Sequence, residues 1–319
     1  MNSKKQIAIE AVLKAAELCQ QVQNEMVSTD AIQKSDRSPV TVADFGSQAL
    51  ICKAIGDTFP EDIIVAEEDA ESLRQNSALL DRVTDYVKRF VKGEVLNQKV
   101  CGWIDRGSGE ISKSYWTLDP IDGTKGFLRN DQYAIALAWI VDGEVVLGVL
   151  GCPNLPHRLD DPDSQRGCLF VAVRGEGTTI YTTTGKFLGE ARVSENASRL
   201  AESFESTHGD SSTHAKIANE LGLNKPPLQI DSQAKYGIVA RGEASLYIRL
   251  PNPAYPDYRE CIWDHAAGLI VVQEAGGKVT DANGKPLSFL SGRRMIDNRG
   301  VVATNGTLHE QVLSTLSSM

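Results

Sequence analysis

The first part of the chain alternates apolar and polar positions with the period of a helix. Residues 4–27 place Ile7, Ala11, Leu18 and Val22 on one face, which is the spacing of an amphipathic helix. Further runs predict helices over residues 43–60, ending near a proline, and 77–93, ending at a glycine. Three helices are therefore expected within the first 93 residues.

Four apolar runs predict strands in the first two thirds of the chain. Two are short, IIVAEED over residues 63–69 and YWTLD over 115–119. Two are longer, over 133–153 and 168–183, and both contain turn residues near the middle, such as Asp142-Gly143. Because an Asp-Gly pair between apolar runs is a strong hairpin signal, each longer run is predicted to form two antiparallel strands.

Helical and strand-like runs alternate over the second half of the chain. Strands are expected over 202–207, 236–251 and 300–304, and helices over 214–222, 266–277 and 307–318. Such alternation is typical of stacked layers of sheet and helix, so we expect an α/β fold. A polar loop over 153–167 predicts a boundary between an N-terminal domain, residues 1–158, and a C-terminal domain, residues 159–319.

Composition and charge narrow the possible functions. Hydrophobic residues make up 41% of the 319 residues, enough for a substantial core. The formal net charge of −9 argues against general nucleic-acid binding, which needs a basic surface. No apolar run approaches the ~20 residues of a membrane span, and the N-terminus lacks the continuous apolar core of a signal peptide. We therefore expect a cytoplasmic protein without a membrane partner.

The cysteines carry no metal or redox motif. No two are closer than 16 residues in sequence, so no Cys-x-x-Cys pair exists. A chain of this length needs no disulfides to fold, and we expect reduced thiols. The six positions are Cys19, Cys52, Cys101, Cys152, Cys168 and Cys261.

Two aspartates, Asp119 and Asp122, flank a proline in the stretch WTLDPIDGTKGFLR. Pro120 stops the strand and Gly123 permits a tight turn, so the two carboxylates lie close together. Like charges so near one another raise one pKa unless a cation lies between them, and an all-oxygen ligand set favours magnesium. Taken alone, the motif is better explained by a solvated Asp-Pro turn.

Three further acids stand at the ends of predicted elements. Glu67 ends a strand, Asp264 begins a helix in IWDHAAG, and Asp44 lies just inside a helix start in SPVTVADF. Each has an ordinary explanation, because surface acids are common and acids near helix N-termini are favoured by the helix dipole. Their joint occurrence with DPIDGT favours a shared cation site instead.

Two motifs together resemble a known family. WTLDPIDGTKGF, followed about 140 residues later by WDHAAGLIVVQEAGG, is similar to the inositol monophosphatase superfamily of lithium-sensitive, magnesium-dependent phosphatases. Within it, DGTKGFLR, GVLGCPNLP and DSQAKYG most resemble the 3'(2'),5'-bisphosphate nucleotidases, and the similarity spans nearly the whole chain. Inositol monophosphatases more often follow DGT with Thr-Asn-Phe, whereas this chain has Lys125-Gly126-Phe127.

The resemblance implies a complete site. Two or three Mg²⁺ ions would be held by the carboxylates of Glu67, Asp119, Asp122 and Asp264 and by the carbonyl of Ile121. Asp44 and Thr124 would activate the attacking water. Substrate would be contacted by Thr124, His208, Ser232, Lys235, Arg249 and Asp264. Gly209, after His208, departs from the Ser-His-Asp stretch of the nucleotidases.

These residues also have ordinary explanations outside the family. Lys235 and Arg249 would be surface charges, although ammonium and guanidinium groups are suited to binding a second phosphate. Thr124 would be a turn residue that hydrogen-bonds Asp122. A single histidine such as His208 is more often structural than functional.

The implied activity is removal of the 3'-phosphate of adenosine 3',5'-bisphosphate (PAP) to give AMP. The 5'-phosphosulfate form (PAPS) would give APS, which places the reaction in sulfur assimilation. We expect alternating layers in an αβαβα sandwich, a small-molecule substrate, a monomer, lithium sensitivity and no nucleic-acid partner. Two alternatives stay open: an inositol polyphosphate 1-phosphatase or monophosphatase, and a non-catalytic nucleotide or cation sensor, which the complete acid set disfavours.

Overall fold

Ten α-helices form in the part of the chain that the computed structural model describes. It describes residues 1–25, 31–33, 39–196, 199–204, 211–223, 225–252, 254–255 and 257–318. The helices are α1 (Asn2–Glu25), α2 (Val42–Thr58), α3 (Glu71–Arg74), α4 (Ser77–Lys88), α5 (Asn97–Asp105), α6 (Thr124–Leu128), α7 (Ser211–Glu220), α8 (Ala234–Ala240), α9 (Ala266–Glu274) and α10 (His309–Ser317). The predicted apolar face of α1 is confirmed, because Ala11, Leu18 and Val22 are buried.

Fourteen strands build three sheets within the same residues. A small pair joins β1 (Ala31–Gln33) and β2 (Pro39–Thr41). A seven-stranded sheet runs in chain order through β3 (Ile63–Ala66), β4 (Ser114–Asp122), β5 (Ala134–Val141), β6 (Glu144–Pro156), β7 (Arg166–Val173), β8 (Gly177–Thr182) and β9 (Phe187–Ala191). A five-stranded sheet contains β10 (Leu200–Glu202), β11 (Leu228–Gln229), β12 (Leu246–Arg249), β13 (Lys278–Thr280) and β14 (Val301–Thr304).

Helices and sheets alternate in five layers, which confirms the predicted αβαβα arrangement. Helices α1 and α2 pack on one face of the seven-stranded sheet through a core that includes Phe45, Trp116 and Phe127. Helices α8 and α9 lie between the two sheets, where Tyr236 and Ile270 belong to a second core. Helices α7 and α10 contact one another beyond the five-stranded sheet, where a third core joins residues of both to β12 and β14. The charged cleft described below opens where these layers meet.

The predicted hairpin over 133–153 is confirmed. Strands β5 and β6 pair antiparallel, with Val141 opposite Glu144. Asp142 and Gly143 both have positive φ, 51° and 80°, as a two-residue hairpin turn requires. The predicted boundary after residue 158 falls between β6 and β7, which pair in the same sheet. The division into two domains stays a prediction.

The prediction of strand over residues 236–251 is wrong in its first half. Residues 236–240 belong to α8, and only Leu246–Arg249 form a strand, β12. All seven residues of α8 are buried, because the helix lies between two sheets. A helix that is buried all round shows no amphipathic stripe, so its sequence resembles that of a buried strand.

Two other boundaries differ from the sequence pattern. The predicted loop over 153–167 is shorter, because β6 continues to Pro156 and β7 begins at Arg166. The strand predicted to stop at residue 119 continues to Asp122. No helix among the described residues combines the length and apolar character that crossing a membrane requires.

Candidate active site

A bulge in β4 gives Asp119 and Asp122 a common orientation. Asp119 pairs with Ala136 of β5, and Asp122 pairs with Ala134. Three residue steps on β4 therefore oppose two on β5, which leaves one extra residue on β4. In a regular strand, residues three apart point to opposite faces, and the bulge turns both carboxylates to one face. Pro120 lies within the bulge, where its missing N–H breaks no ladder bond.

Glu67 stands beside these acids because β3 and β4 are parallel neighbours. The Glu67 amide donates a hydrogen bond to the Leu118 carbonyl at 3.1 Å, one residue before Asp119. The residue after Glu67, Glu68, is held by buried Gln48 of α2. Gln48 Nε2 donates to the Glu68 carbonyl at 2.6 Å, and Gln48 Oε1 accepts from the Glu68 amide at 3.0 Å. The chain is thus held where it presents Glu67.

Asp264 approaches from the layer between the two sheets. It ends a single 3₁₀ turn, Ile262–Asp264, just before α9, so the expected helix start is confirmed. Its Oδ2 accepts a hydrogen bond from the Cys261 amide at 3.1 Å, which closes the turn. This bond fixes the position of the carboxylate through the backbone.

Gln233 connects the two acid-bearing segments. Its backbone amide donates to Asp122 Oδ2 at 2.5 Å, and its Nε2 donates to the Trp263 carbonyl at 2.9 Å. Its Oε1 accepts from the Gly268 amide at 3.1 Å, and the residue is only 2% exposed. One buried glutamine therefore sets the spacing between Asp122 and the turn that carries Asp264.

A single cleft collects nine of the predicted site residues. They are Glu67, Asp119, Ile121, Asp122, Thr124, Ser232, Lys235, Arg249 and Asp264. Asp44 does not line this cleft; it is 2% exposed in the first turn of α2. His208 lies outside the described residues, so its predicted substrate contact stays a prediction.

The acids in the cleft raise one another's pKa. Burial is the main cause for Asp119, and the charges of Glu67, Asp122, Asp264 and Asp44 raise its pKa further. Burial and the neighbouring acids also raise the pKa of Asp264, against the opposing effect of Arg249. Oxygen-only groups that repel each other in this way fit a hard divalent cation, which would relieve the repulsion. The residues present therefore fit the magnesium that the sequence predicts.

Asp44 lies behind the Asp119–Asp122 bulge. Ser47, one helical turn further along α2, donates its Oγ–H to the Pro120 carbonyl at 3.0 Å. This bond attaches the start of α2 to the bulge. It explains why a residue that does not line the cleft still affects the pKa of Asp119.

Thr124 begins α6 immediately after the bulge. Gly123 precedes it with φ of 85°, a conformation that favours glycine. The Thr124 hydroxyl donates to the Ile121 carbonyl at 3.2 Å, whereas an ordinary turn residue here was expected to bond Asp122. The Thr124 hydroxyl is therefore hydrogen-bonded to the carbonyl that is predicted to bind metal. A Cβ added to Gly126 would lie 2.1 Å from the Gln132 carbonyl, so this helix tolerates no side chain there.

Two cations, the buried Lys235 and the partly buried Arg249, line the cleft together with the acids. Lys235 Nζ donates to the Ile230 carbonyl at 3.1 Å and lies 5.1 Å from the centre of the Tyr247 ring. Burial lowers the pKa of Lys235 to about 8, although Asp122 opposes this shift. Arg249 Nη2 lies 2.8 Å from Glu260 Oε2. Burial disfavours its charge, but Glu260 and the other acidic groups nearby together outweigh burial, and the pKa of Arg249 lies well above its usual range.

Three ionisable groups come close together beside Arg249. Over the described ranges, ligand atoms lie within 4.8 Å of one another at Glu260, Asp264 and His265, and the four predicted metal ligands form no such tight group. Asp264 belongs to both sets. The Arg249 guanidinium already supplies a cation to Glu260.

Sequence reasoning missed three residues that shape the site. Gln48 and Gln233 act mainly through bonds to backbone groups, and a lone buried glutamine has no recognisable pattern. Glu260 orients Arg249, but in sequence it is one acid in a polar loop. Only the quoted stretch DSQAKYG, which contains Gln233, pointed to its region.

Comparisons with known proteins agree with this geometry. A sequence model of the inositol monophosphatase family matches residues 2–319. A Schizosaccharomyces pombe protein named 3'(2'),5'-bisphosphate nucleotidase is 39% identical over 340 residues, covering 100% of this chain and 96% of that protein. An Oryza sativa protein of the same name is 42% identical over 97% of this chain and 92% of its own length.

A solved structure shows the same fold. An inositol monophosphatase from Anabaena (Nostoc) sp. PCC 7120 aligns with a TM-score of 0.63 and 22% identity, covering 100% of this chain and 96% of that one. This structural similarity confirms the layered architecture. The family model, which matches residues 2–319, shows that the similarity also holds for the sequence. The chain belongs to the inositol monophosphatase family.

Proposed function

We propose that this protein is a 3'(2'),5'-bisphosphate nucleotidase. It removes the 3'-phosphate of PAP to give AMP, and that of PAPS to give APS. The proposal is supported by two relatives of that name, 39% and 42% identical over nearly the full chain. A phosphatase of this class must place one phosphate near acidic residues and a second near cations.

One observation carries the proposal: acidic and cationic side chains line one cleft. Asp119, Asp122 and Asp264 line it together with Lys235 and Arg249. The acids suit a metal-bound reacting phosphate, and the cations suit a second phosphate that does not react. A substrate with a single phosphate would leave the two cations with only their protein partners, such as Glu260 beside Arg249.

Glu67, Asp119, Asp122 and Asp264 would hold Mg²⁺ through their carboxylates, with the Ile121 carbonyl as a further ligand. Bound Mg²⁺ supplies Lewis-acid catalysis, because it lowers the pKa of water and stabilises the charge on the leaving oxygen. The protein's own part is to hold these oxygens in place, which the β4 bulge and Gln233 do.

Asp44 and Thr124 share the proposed task of removing the proton of the attacking water. A threonine hydroxyl is a poor base and transfers a proton only when a carboxylate accepts one in turn. Asp44 lies behind the bulge, attached to it through Ser47. This arrangement supports a relay from the cleft to a buried carboxylate.

We also propose the number of metal ions, the inhibitor, the compartment, the oligomeric state and the domains of the enzyme. It uses two or three Mg²⁺ ions, is inhibited by lithium, and acts as a cytoplasmic monomer. Its two domains comprise residues 1–158 and 159–319, although the seven-stranded sheet spans both.

Replacing Arg249 with alanine is expected to weaken a substrate with two phosphates much more than a substrate with one. Arg249→Ala should raise KM for PAP by roughly 10- to 100-fold, because a charge-assisted contact contributes about 1.5–3 kcal/mol. An adenosine 3'-monophosphate substrate, which lacks the second phosphate, should change little. Steady-state phosphate release on both substrates measures the difference.

Arg192→Ala serves as the control for Arg249→Ala. Arg192 is 82% exposed and pairs with Glu190 on the far edge of the seven-stranded sheet. It should leave both substrates unaffected. Equal losses on both substrates in Arg249→Ala would show that Arg249 supports the fold rather than the second phosphate.

A further inference from the structure

A second cavity adjoins the active-site cleft. Arg249 and Tyr258 line both spaces, so the two meet at the cation assigned to the second phosphate. Beyond that point, the second cavity is lined by Leu250, Met295 and Arg299, among others. Among the predicted site residues that the structure describes, Arg249 alone lines it.

The strands of the second sheet build this cavity. β12 and β14 are antiparallel, with Arg249 opposite Val301. The residue before Val301, Gly300, has φ of 63°, and a Cβ there would lie 2.5 Å from the Arg249 carbonyl oxygen and 3.0 Å from Pro251 Cδ. Only glycine allows this close approach, which lets Gly300, the neighbour of Arg299, pack against the residues that follow β12.

Arg299 is held in place by its backbone. Its amide donates to Asp281 Oδ2 at 3.2 Å, and its carbonyl accepts from the Ala282 amide at 2.9 Å. One residue, Gly300, separates it from Val301, the partner of Arg249. The guanidinium side chain is exposed and belongs to the cavity wall.

The lining chemistry combines cations with apolar and aromatic surface. The Tyr258 side chain is half exposed, and the Arg294 guanidinium lies 5.6 Å from its ring centre. Met295 is buried and contributes an apolar wall. Guanidinium groups favour phosphate and sulfate, whereas rings and aliphatic side chains favour an organic chain.

We propose that the second cavity binds whatever is attached to the 5'-phosphate of the substrate. This inference rests on the proposed function, which places the 5'-phosphate at Arg249. The preferred ligands are 3'-phosphorylated nucleotides whose 5'-phosphate carries a second anion in anhydride linkage, either sulfate or phosphate. Arg299 binds that second anion. The bond that is hydrolysed is the same 3'-phosphate ester in every case.

The places of the two arginines in the cavity walls support this assignment. Arg249 lines both spaces, whereas Arg299 lines the second cavity and not the active-site cleft. A substituent of the 5'-phosphate that extends from Arg249 away from the metal ligands would therefore meet Arg299. Tyr258 and Met295 then offer surface to any organic group beyond the second anion, as in coenzyme A.

The test compares PAP, PAPS and 3'-phosphoadenosine 5'-diphosphate on the full chain with magnesium. Arg299→Ala is expected to lower kcat/KM for the two extended substrates by about 10-fold and to change PAP by less than about 2-fold. Arg299→Glu should enlarge the loss, and Arg299→Lys should restore part of it. Arg192→Ala again serves as the exposed arginine control.

The outcomes separate this inference from the proposed function. A loss confined to PAPS assigns the second anion site to sulfate, and one confined to the diphosphate assigns it to phosphate. Equal changes on all three substrates, or none on any, would overturn the inference while PAP turnover still supports the function. If the unmodified protein fails to hydrolyse PAP, the proposed function itself is wrong.

Discussion

Removing divalent cations is expected to abolish phosphatase activity, and adding Mg²⁺ should restore it. Asp119 is buried and Asp264 is partly buried; burial raises the pKa of both carboxyls, and repulsion from neighbouring acids raises it further. A phosphate monoester brings further negative charge, which these carboxylates would repel without a cation between them. The loss should therefore be complete rather than partial. Phosphate release from PAP after exhaustive chelation measures it.

A second readout checks the same site without turnover. Mg²⁺ that binds only the folded chain should raise the melting temperature of the chelated protein in a concentration-dependent way. Asp119→Asn should reduce that shift, because it removes one of the proposed ligands. Full activity after chelation, or a magnesium shift unchanged by Asp119→Asn, would show that these acids do not hold the metal.

Asp44→Asn is expected to lower kcat by at least about 10²-fold, the usual scale for losing a general base. Binding of PAP and Mg²⁺ should be largely kept, since Asp44 does not line the cleft. Asparagine has nearly the shape of aspartate but cannot accept a proton as a carboxylate does. Single-turnover kinetics, together with calorimetric binding of PAP, separate the two effects.

Asp57→Asn is the matched control for Asp44→Asn. Both residues lie on α2, but Asp57 is 61% exposed and pairs with Lys53 at the other end of the helix. It should leave kcat unchanged. Near-normal turnover in Asp44→Asn would remove Asp44 from the mechanism, and lost PAP binding would indicate a structural role instead.

The acids of the site were predictable from sequence, but their geometry was not. Asp119 and Asp122 are three residues apart, a spacing that would place them on opposite faces of a regular strand. Pro120 indicates a break in the ladder, yet only the register with Ala136 and Ala134 shows the one-residue bulge that aligns the acids. Sequence therefore predicted which residues meet, and tertiary pairing determines how.

Helix α8 was predicted wrongly from sequence for a different reason. Its residues are buried on every side between two sheets, so periodicity could not separate helix from strand. Gln233, just before it, supports the site through its backbone amide as well as its side chain. Any residue other than proline can make a contact through its backbone amide, so the residue type does not reveal such a contact. Arg299 was missed for a related reason, because only the pairing of β12 with β14 places Val301, two positions after Arg299, opposite Arg249.

We propose above all that the protein is a magnesium-dependent phosphatase that acts on a nucleotide with two phosphates. The most direct test is phosphate release by the unmodified protein from PAP, inositol 1-phosphate and inositol 1,4-bisphosphate under the same conditions. We expect a kcat/KM for PAP at least about 10-fold above that for inositol 1-phosphate, because Lys235 and Arg249 bind the second phosphate. Inositol 1,4-bisphosphate also carries two phosphates but is not a nucleotide, and we expect its kcat/KM to lie below that of PAP as well. A preference for an inositol phosphate, or PAP binding without turnover of any of the three, would contradict it.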